Sequence, residues 1–571
     1  MNQVIENKIL QHLKFIYKDD LPSAFSEKVL KLIEENKTVK EYNENKWDEK
    51  AVALITYGDS IISAGEKPLI ILYRFLEKHL KDCVNTVHIL PFFPYSSDDG
   101  FSVIDFTQVN PELGSWKEIK KISRDFNLIV DLVINHISVN SIWFQNYLNN
   151  KHPGKDFFIE MNPAENFSQV VRPRNSPLLT TFKTANGKKY IWTTFSKDQA
   201  DLNFSNPEVL FEMLKVLLLY VSMGAKIIRL DAIAFLWKQK DTACLNLPET
   251  HEIVKLIRDI LEEVDSNVIV LTETNVPNKE NLSYFGKGDE AHMVYQFSLP
   301  PLLLHALYSG SSKYLNQWAK AIPDPPQGCT FFNFTASHDG IGVRPLEGLL
   351  PEEEINKIFK YILAAGGKIS TKQNSDGTDS PYELNITYFD ALKQSFKGPD
   401  GFQVERFLCS QTIMMTLRGV PAFYIHSLTA TPNYPEGVKQ TGHVRTINRK
   451  KWELHDLEEL LRNENNTSMV FFELIRRINI RKSEPLFHPD NPQRIYDIGN
   501  NFFVVKRKNA KKQNLLFSIS NLTGETKEIN TKFLDDHGNE WIDLLSDRKY
   551  NISDKSLILQ PYQTAWLKKV P

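Results

Sequence analysis

"AKIIRLDAIAF", residues 225–235, sets two full charges, Arg229 and Asp231, inside a run whose β-branched density reads as a buried strand. Charges in such a place are costly unless they are paired or used. A structural ion pair at a strand end is one reading of the segment. A reactive group held at the mouth of a sheet is the other, and the flanking sequence separates them.

From residue 51 onward, short apolar runs of the same kind recur with amphipathic helical segments between them: "AVALITY", "VHIL", "LIVDLVINH", the run above, "VIVLTET", "MVYQF", "CTFFNFTASHD" and "AFYIH". Eight strands alternating with helices predict an α/β fold, a (β/α)8 TIM barrel. The intervals from "NHIS" to "IIRLDA" and from "SHDGIGV" to "RGVPAFYIH" are too long for simple loops. They predict two inserted subdomains, at about 140–205 and 345–405. Residues 1–48 place Leu10, Leu13, Ile16, Val29, Leu30 and Ile33 at helical spacing, which predicts an N-terminal helical extension ahead of a catalytic barrel over 49–484. Past residue 485 the runs "RIYDIG", "NFFVVKRK", "NLLFSISNL" and "QTAWLKK" shorten and alternate, predicting a C-terminal antiparallel β-domain over 485–571.

Composition narrows the function. The 571 residues carry 68 basic and 70 acidic side chains, a net charge of −2 that gives no electrostatic footprint for nucleic acid or an anionic membrane. No apolar run approaches the roughly 18 residues of a membrane span, and the first twenty residues lack the apolar core of an export signal. A cytoplasmic protein is expected, with triplets such as Asn203 to Ser205 as chance glycosylation matches. The four cysteines, Cys83, Cys244, Cys329 and Cys409, have no CxxC pair or metal-ligand spacing and are expected to be reduced, buried and inert.

In a barrel of this kind the chemistry gathers at the C-terminal ends of the strands. The third run closes on Asn135-His136, the fourth on Arg229-x-Asp231, the fifth on Glu273 and the seventh on His338-Asp339, all at one mouth. A retaining glycosidase uses one carboxylate as nucleophile and a second, about 5–5.5 Å away, as acid/base. Asp231 is the expected nucleophile, kept ionised by Arg229 on the same strand face. Glu273 is the expected acid/base, its pKa raised by partial burial. Asp339 is the third carboxylate.

"HILPFFPYSSDDGFSVIDF", "DLVINH", "IIRLDAIAF", "VLTETN" and "FTASHDGIGVRP" resemble the α-amylase family (glycoside hydrolase family 13) and, within it, the sucrose phosphorylase subfamily. The resemblance runs from about residue 52 to the C-terminus. The helical preface, "LTETN" and "MVYQFSLPPLLLHAL" are most similar to the branch that contains glucosylglycerate phosphorylase. It implies the same roles for Asp231, Glu273 and Asp339. It also implies that Asp98, Phe101, His136, Phe195, Arg229, His338 and Arg445 line the pocket for a glucosyl unit, with Asp98 and Arg445 closing its far end. The sucrose enzymes read "EIH" or "EVH", "DTHDGIGV" and "YQxNSTYY" where this chain reads "ETN", "ASHDGIGV" and "YELNITYF". Thr274, Asn275, Ser337 and Glu383 thereby mark the acceptor side, with Tyr382 beside Glu383 a further candidate for substrate binding.

Arg172 and Arg174 of "VRPRNSP" are the candidates for binding phosphate or an anionic acceptor; a solvated loop is the plain alternative. The resemblance implies a retaining phosphorylase that takes a small α-glucoside and inorganic phosphate, with glucosylglycerate or glucosylglycerol ahead of sucrose, or else a hydrolase or transglucosidase on the same fold. It implies no cofactor and no metal, and a monomer or homodimer. Asp379 and Glu383 argue against an anionic acceptor such as glycerate unless Arg172, Arg174 or Lys439 intervenes.

Overall fold

A computed structural model describes residues 3–38, 45–374, 378–509, 514–537, 540–551 and 556–570. Eight parallel strands close into a barrel in strict chain order: β1 (Ala53–Thr56), β2 (Thr86–Ile89), β3 (Asn127–Leu132), β4 (Ala225–Leu230), β5 (Ile269–Thr272), β6 (Met293–Tyr295), β7 (Thr330–Phe334) and β8 (Val420–Tyr424). Each of the eight runs read as a strand supplies one of them. Both faces of such a strand are covered, which is why the runs are continuously apolar instead of alternating. β4 shows this best, with every residue buried except Lys226.

Helices fill the outer layer. α1 (Gln3–Tyr17) and α2 (Phe25–Asn36) form the preface and bury Ile9, Leu13 and Ile16, then Phe25, Val29 and Ile33. Leu10 and Leu30, expected in that apolar stripe, are only partly buried. The preface lies against two barrel helices, α3 (Pro207–Ser222) and α4 (Pro248–Val264). Lys28 reaches Glu208 at 2.6 Å, and His12 spans Glu252 at 2.7 Å and Asp259 at 3.1 Å.

The interval after β3 holds a helix, Ile142–Leu148, a hairpin of Leu179–Thr184 with Gly187–Trp192, and a short pairing of His136–Ser138 with Gln199–Asp201. The interval after β7 holds a three-stranded sheet of Ile341–Gly342, Asp379–Asn385 and Lys368–Gln373, preceded by helix Glu352–Ala364. Residues 375–377 of its "NSDGTDSPYELN" segment lie outside those described. At the C-terminal end a six-stranded antiparallel sheet, beginning with Gln493–Tyr496, encloses a second core that includes Phe517, Trp541 and Leu567. Arg507, fully buried on this sheet, ties it to the barrel by donating to Thr416 O at 2.9 Å.

All four cysteines are buried and unbridged, and burial raises the thiols of Cys83, Cys329 and Cys409. Among the described residues no helix is long and apolar enough to cross a membrane.

Candidate active site

The barrel's hydrogen-bond ladder runs one residue past the strands and delivers the carboxylates. Asp231 N–H donates to Leu132 O at 3.2 Å and Glu273 N–H donates to Leu230 O at 3.1 Å, so each backbone is pinned by the preceding strand. Ala232 then turns into the left-handed region, φ 49°, and its N–H donates to Glu273 Oε2 at 3.0 Å. A non-glycine residue held there stores backbone strain, of the kind found where a site over-determines its geometry. A second strained turn faces it across the mouth, with Asp98 at φ 53°, Asp99 at φ 46° and Gly100 at φ 108°. Gly100 is required, since a Cβ would lie 2.5 Å from Pro91 O.

These elements enclose a cavity of about 70 Å³ lined by Asp98, Phe101, His136, Arg174, Phe195, Asp231, Glu273, Asn275, His338, Asp339, Tyr382, Glu383 and Arg445. Three of the residues proposed from sequence, Arg172, Arg229 and Ser337, are not on its wall. Arg229 lies beneath the floor, 3 % exposed, and Arg174 lines the cavity where Arg172 does not. Gln199 and Phe235 line the wall without having been singled out. Phe101 stacks on His338, ring centroids 4.8 Å apart, and Phe195 stands against His136 and Phe235 at 5.1 and 5.4 Å. His136 Nε2–H donates to Phe101 O at 2.9 Å, which fixes its tautomer. Burial lowers the pKa of both His136 and His338, so both rings are neutral donors and acceptors at pH 7.

The charges below the floor form a chain. Asp131 and Arg229 are paired in register across β3 and β4, and Arg229 Nη1 donates to Asp131 as well as to Asp231, the latter at 2.8 Å. His88 Nε2 donates to the far oxygen of Asp131 at 2.7 Å. Burial alone would raise the Asp131 carboxyl, but His88 and Arg229 overcome it and hold it at about 2. Arg229 is therefore shared, and this changes the expectation for Asp231. Burial pushes Asp231 well above the usual carboxylate range, with Glu273, Asp131 and Asp339 adding to it and Arg229 opposing. Glu273 is raised by burial and by Asp339, again against Arg229 and the Ala232 N–H. Asp339 goes the other way: Arg445, with Arg449 and Arg229, outweighs its burial and keeps it ionised.

At the far end, Arg445 Nη1 is 4.0 Å from Asp98 but 2.6 Å from Asp339, and its fork grips Glu383 at 3.0 and 2.9 Å. Arg449, four residues on, joins Asp99 at 2.6 Å and donates to His338 O at 2.9 Å. Ser337 Oγ accepts from Asp339 N–H at 3.3 Å, so this departure from the sucrose pattern caps the carboxylate's own loop. Asn175 donates to Asp379 at 3.3 Å, and Lys439 is not on the cavity wall. The two acidic residues that spoke against an anionic acceptor are thus engaged by other groups. Arg174 is not: among the described residues it has no carboxylate partner and lies over the Tyr382 ring at 5.9 Å.

A closed eight-stranded parallel barrel carrying three strand-end carboxylates defines a glycoside-processing enzyme, and the chain belongs to the α-amylase family, sucrose phosphorylase subfamily, its residues 78–339 matching the alpha amylase catalytic domain. Within that subfamily it is 42% identical to glucosylglycerate phosphorylase of Escherichia coli, over 99% of this chain and 100% of that one. It is 40% identical to the glucosylglycerate phosphorylase of Allomeiothermus silvanus, over 99% and 98% of the two chains. The crystal structure of sucrose 6F-phosphate phosphorylase from Thermoanaerobacter thermosaccharolyticum superposes with a TM-score of 0.72 at 27% identity, covering 83% of this chain and 94% of that one.

Proposed function

We propose that the protein catalyses reversible phosphorolysis of glucosylglycerate to α-D-glucose 1-phosphate and glycerate, by double displacement at Asp231. The observation that carries this reading is Arg174, a cation on the wall of a cavity crowded with carboxylates and, among the described residues, with no carboxylate of its own. Such a group suits an incoming anion, and both substrates that meet the glucosyl centre here, phosphate and the glycerate carboxylate, are anions.

Burial raises both Asp231 and Glu273, and double displacement needs the anion on Asp231 and the proton on Glu273. Arg229 is 2.8 Å from Asp231 and 3.9 Å from Glu273, which favours the anion on Asp231 and the proton on Glu273. Asp231 attacks the anomeric carbon while Glu273 protonates the departing glycerate oxygen. This leaves a β-glucosyl ester on Asp231 and a carboxylate on Glu273. Phosphate then enters where glycerate left, passes its proton to the Glu273 carboxylate and displaces Asp231, which restores both groups to their starting states. Arg174 offsets the repulsion between the phosphate and the Glu273 carboxylate. Two inversions retain the configuration. Asp339, held ionised by Arg445, favours the cationic transition state, and Asn275 offers a buried Oδ1 with no hydrogen-bond partner to an acceptor hydroxyl. No step calls on a cofactor; phosphate is a substrate.

The experiment is product analysis of glucosylglycerate turnover in phosphate buffer. The reading expects α-glucose 1-phosphate. Free glucose would make the enzyme a hydrolase, and β-glucose 1-phosphate by proton NMR would exclude the covalent ester.

A further inference from the structure

Glu383 lies on the acceptor side in sequence, at a position where the chain departs from the sucrose enzymes. Its contacts give it a different task. The side chain is 2% exposed, and three of the roughly four lone-pair positions of its carboxylate are taken. Oε1 accepts from Arg445 Nη2 at 2.9 Å and from Gly340 N–H at 2.9 Å, and Oε2 accepts from Arg445 Nε at 3.0 Å. Little is left for an acceptor hydroxyl, and a carboxylate so placed repels an acceptor carboxylate less than a free one would.

We propose that Glu383 is a positioning residue for the glucose end of the site: it fixes Arg445 against Asp339 and does not receive the acceptor. A guanidinium is planar, so locking Nε and Nη2 on one carboxylate fixes the direction of Nη1. Nη1 then points at Asp339, 2.6 Å away, and stays 4.0 Å from Asp98. The glutamate cannot easily turn away. Its strand is paired with Ile341–Gly342, Gly342 standing opposite Glu383, and a Cβ on Gly340 would fall 2.5 Å from Glu383 Cγ. The same strand pairing thus sets Glu383 close behind the Asp339 loop. Without Glu383, Arg445 is free to shift between Asp98 and Asp339, both within reach of its Nη1.

The inference rests on the glucoside phosphorylase reading but not on the identity of the acceptor, and α-D-glucosyl fluoride isolates it. Fluoride leaves without occupying the acceptor site, so kcat/KM for this substrate, set by the half-reaction that precedes phosphate entry, reports the glucose end alone. Glu383→Gln is expected to lose at least tenfold in kcat/KM on the fluoride and to weaken inhibition by glucose. In an Arg445→Gln background the same change is expected to cost less than threefold more. Fluoride turnover within threefold of the parent protein, with the loss confined to the KM of the acceptor in synthesis, would overturn the proposal. If Glu383→Gln does not fold, as judged by its melting curve, Glu383→Asp keeps the charge but shortens the reach to Arg445. It should show the same fluoride loss, and parent-like turnover there would equally overturn the proposal. Failure of the underlying reading shows separately, as free glucose instead of glucose 1-phosphate from the parent enzyme.

Discussion

Arg229 Nη1 lies 2.8 Å from Asp231 Oδ1 and bonds Asp131 from the same nitrogen, so one buried cation serves two carboxylates on adjacent strands. The pairing keeps Asp131 ionised and leaves Asp231 governed mainly by burial. The charges of the opening segment are thus a structural pair, and one of them, Asp231, faces the cavity.

The pairing sets an acid limit on stability. Asp131 is depressed to about 2 from an ordinary 3.8, so its contribution is present above pH 3.8 and is lost as pH falls through about 2. The shift corresponds to about 2 kcal/mol. Asp131→Asn should lower stability at pH 7 by about 3 kcal/mol, because Arg229 loses a buried partner, and should flatten the acid limb between pH 4 and 2. Urea melts at pH 7 and pH 2 give both figures; an equal loss at both would contradict the linkage.

Glu273 sets the alkaline limb of activity. A carboxyl raised by burial and by Asp339 keeps its proton to higher pH, and the rate of glycerate release falls as pH rises through that pKa. On glucosyl fluoride, whose departure needs no proton, the alkaline limb of the first half-reaction should be absent. Burst kinetics from pH 5 to 9 on the two substrates check this, and identical alkaline limbs would assign the proton elsewhere.

Arg174 and Arg172 should part company. Arg174→Lys keeps the charge but loses the fork, and is expected to raise the KM for phosphate at least fivefold with glucose inhibition unchanged. Arg172→Ala, off the cavity wall, should change the phosphate KM less than threefold. Steady-state kinetics of both variants decide it; the reverse pattern would move the anion site.

Gly342 carries an acceptor-side prediction. A Cβ there would stand 2.5 Å from Asn275 Oδ1, so Gly342→Ala must push the amide aside. The acceptor KM in synthesis should rise about tenfold, roughly 1.4 kcal/mol, while glucosyl fluoride turnover holds. Loss on both substrates would place Asn275 in the glucose end.

The fold was legible because every barrel strand is buried on both faces and so appears as an unbroken apolar run. The strand-end carboxylates were legible for the same reason: a charge closing such a run stands out. Asp131 sits in "LIVDLV" as conspicuously as Arg229 does in "IIRL", yet its role was missed, because its partner is set by register between strands and not by spacing along one. Glu383 and Arg445, 62 residues apart, and the choice of Arg174 over Arg172 were hidden likewise, since each depends on where an inserted segment folds back. Glu383 could be flagged from sequence as unusual; only its contacts show that its charge is already taken.

The most direct measurement is the initial rate of synthesis from α-D-glucose 1-phosphate with glycerate, glycerol and fructose at equal concentration. Glycerate should exceed fructose by at least about tenfold, a difference of roughly 1.4 kcal/mol in transition-state binding, and should also exceed glycerol, because Arg174 adds a partner only for the carboxylate. Fructose as the best of the three would contradict the account and make the enzyme a sucrose phosphorylase.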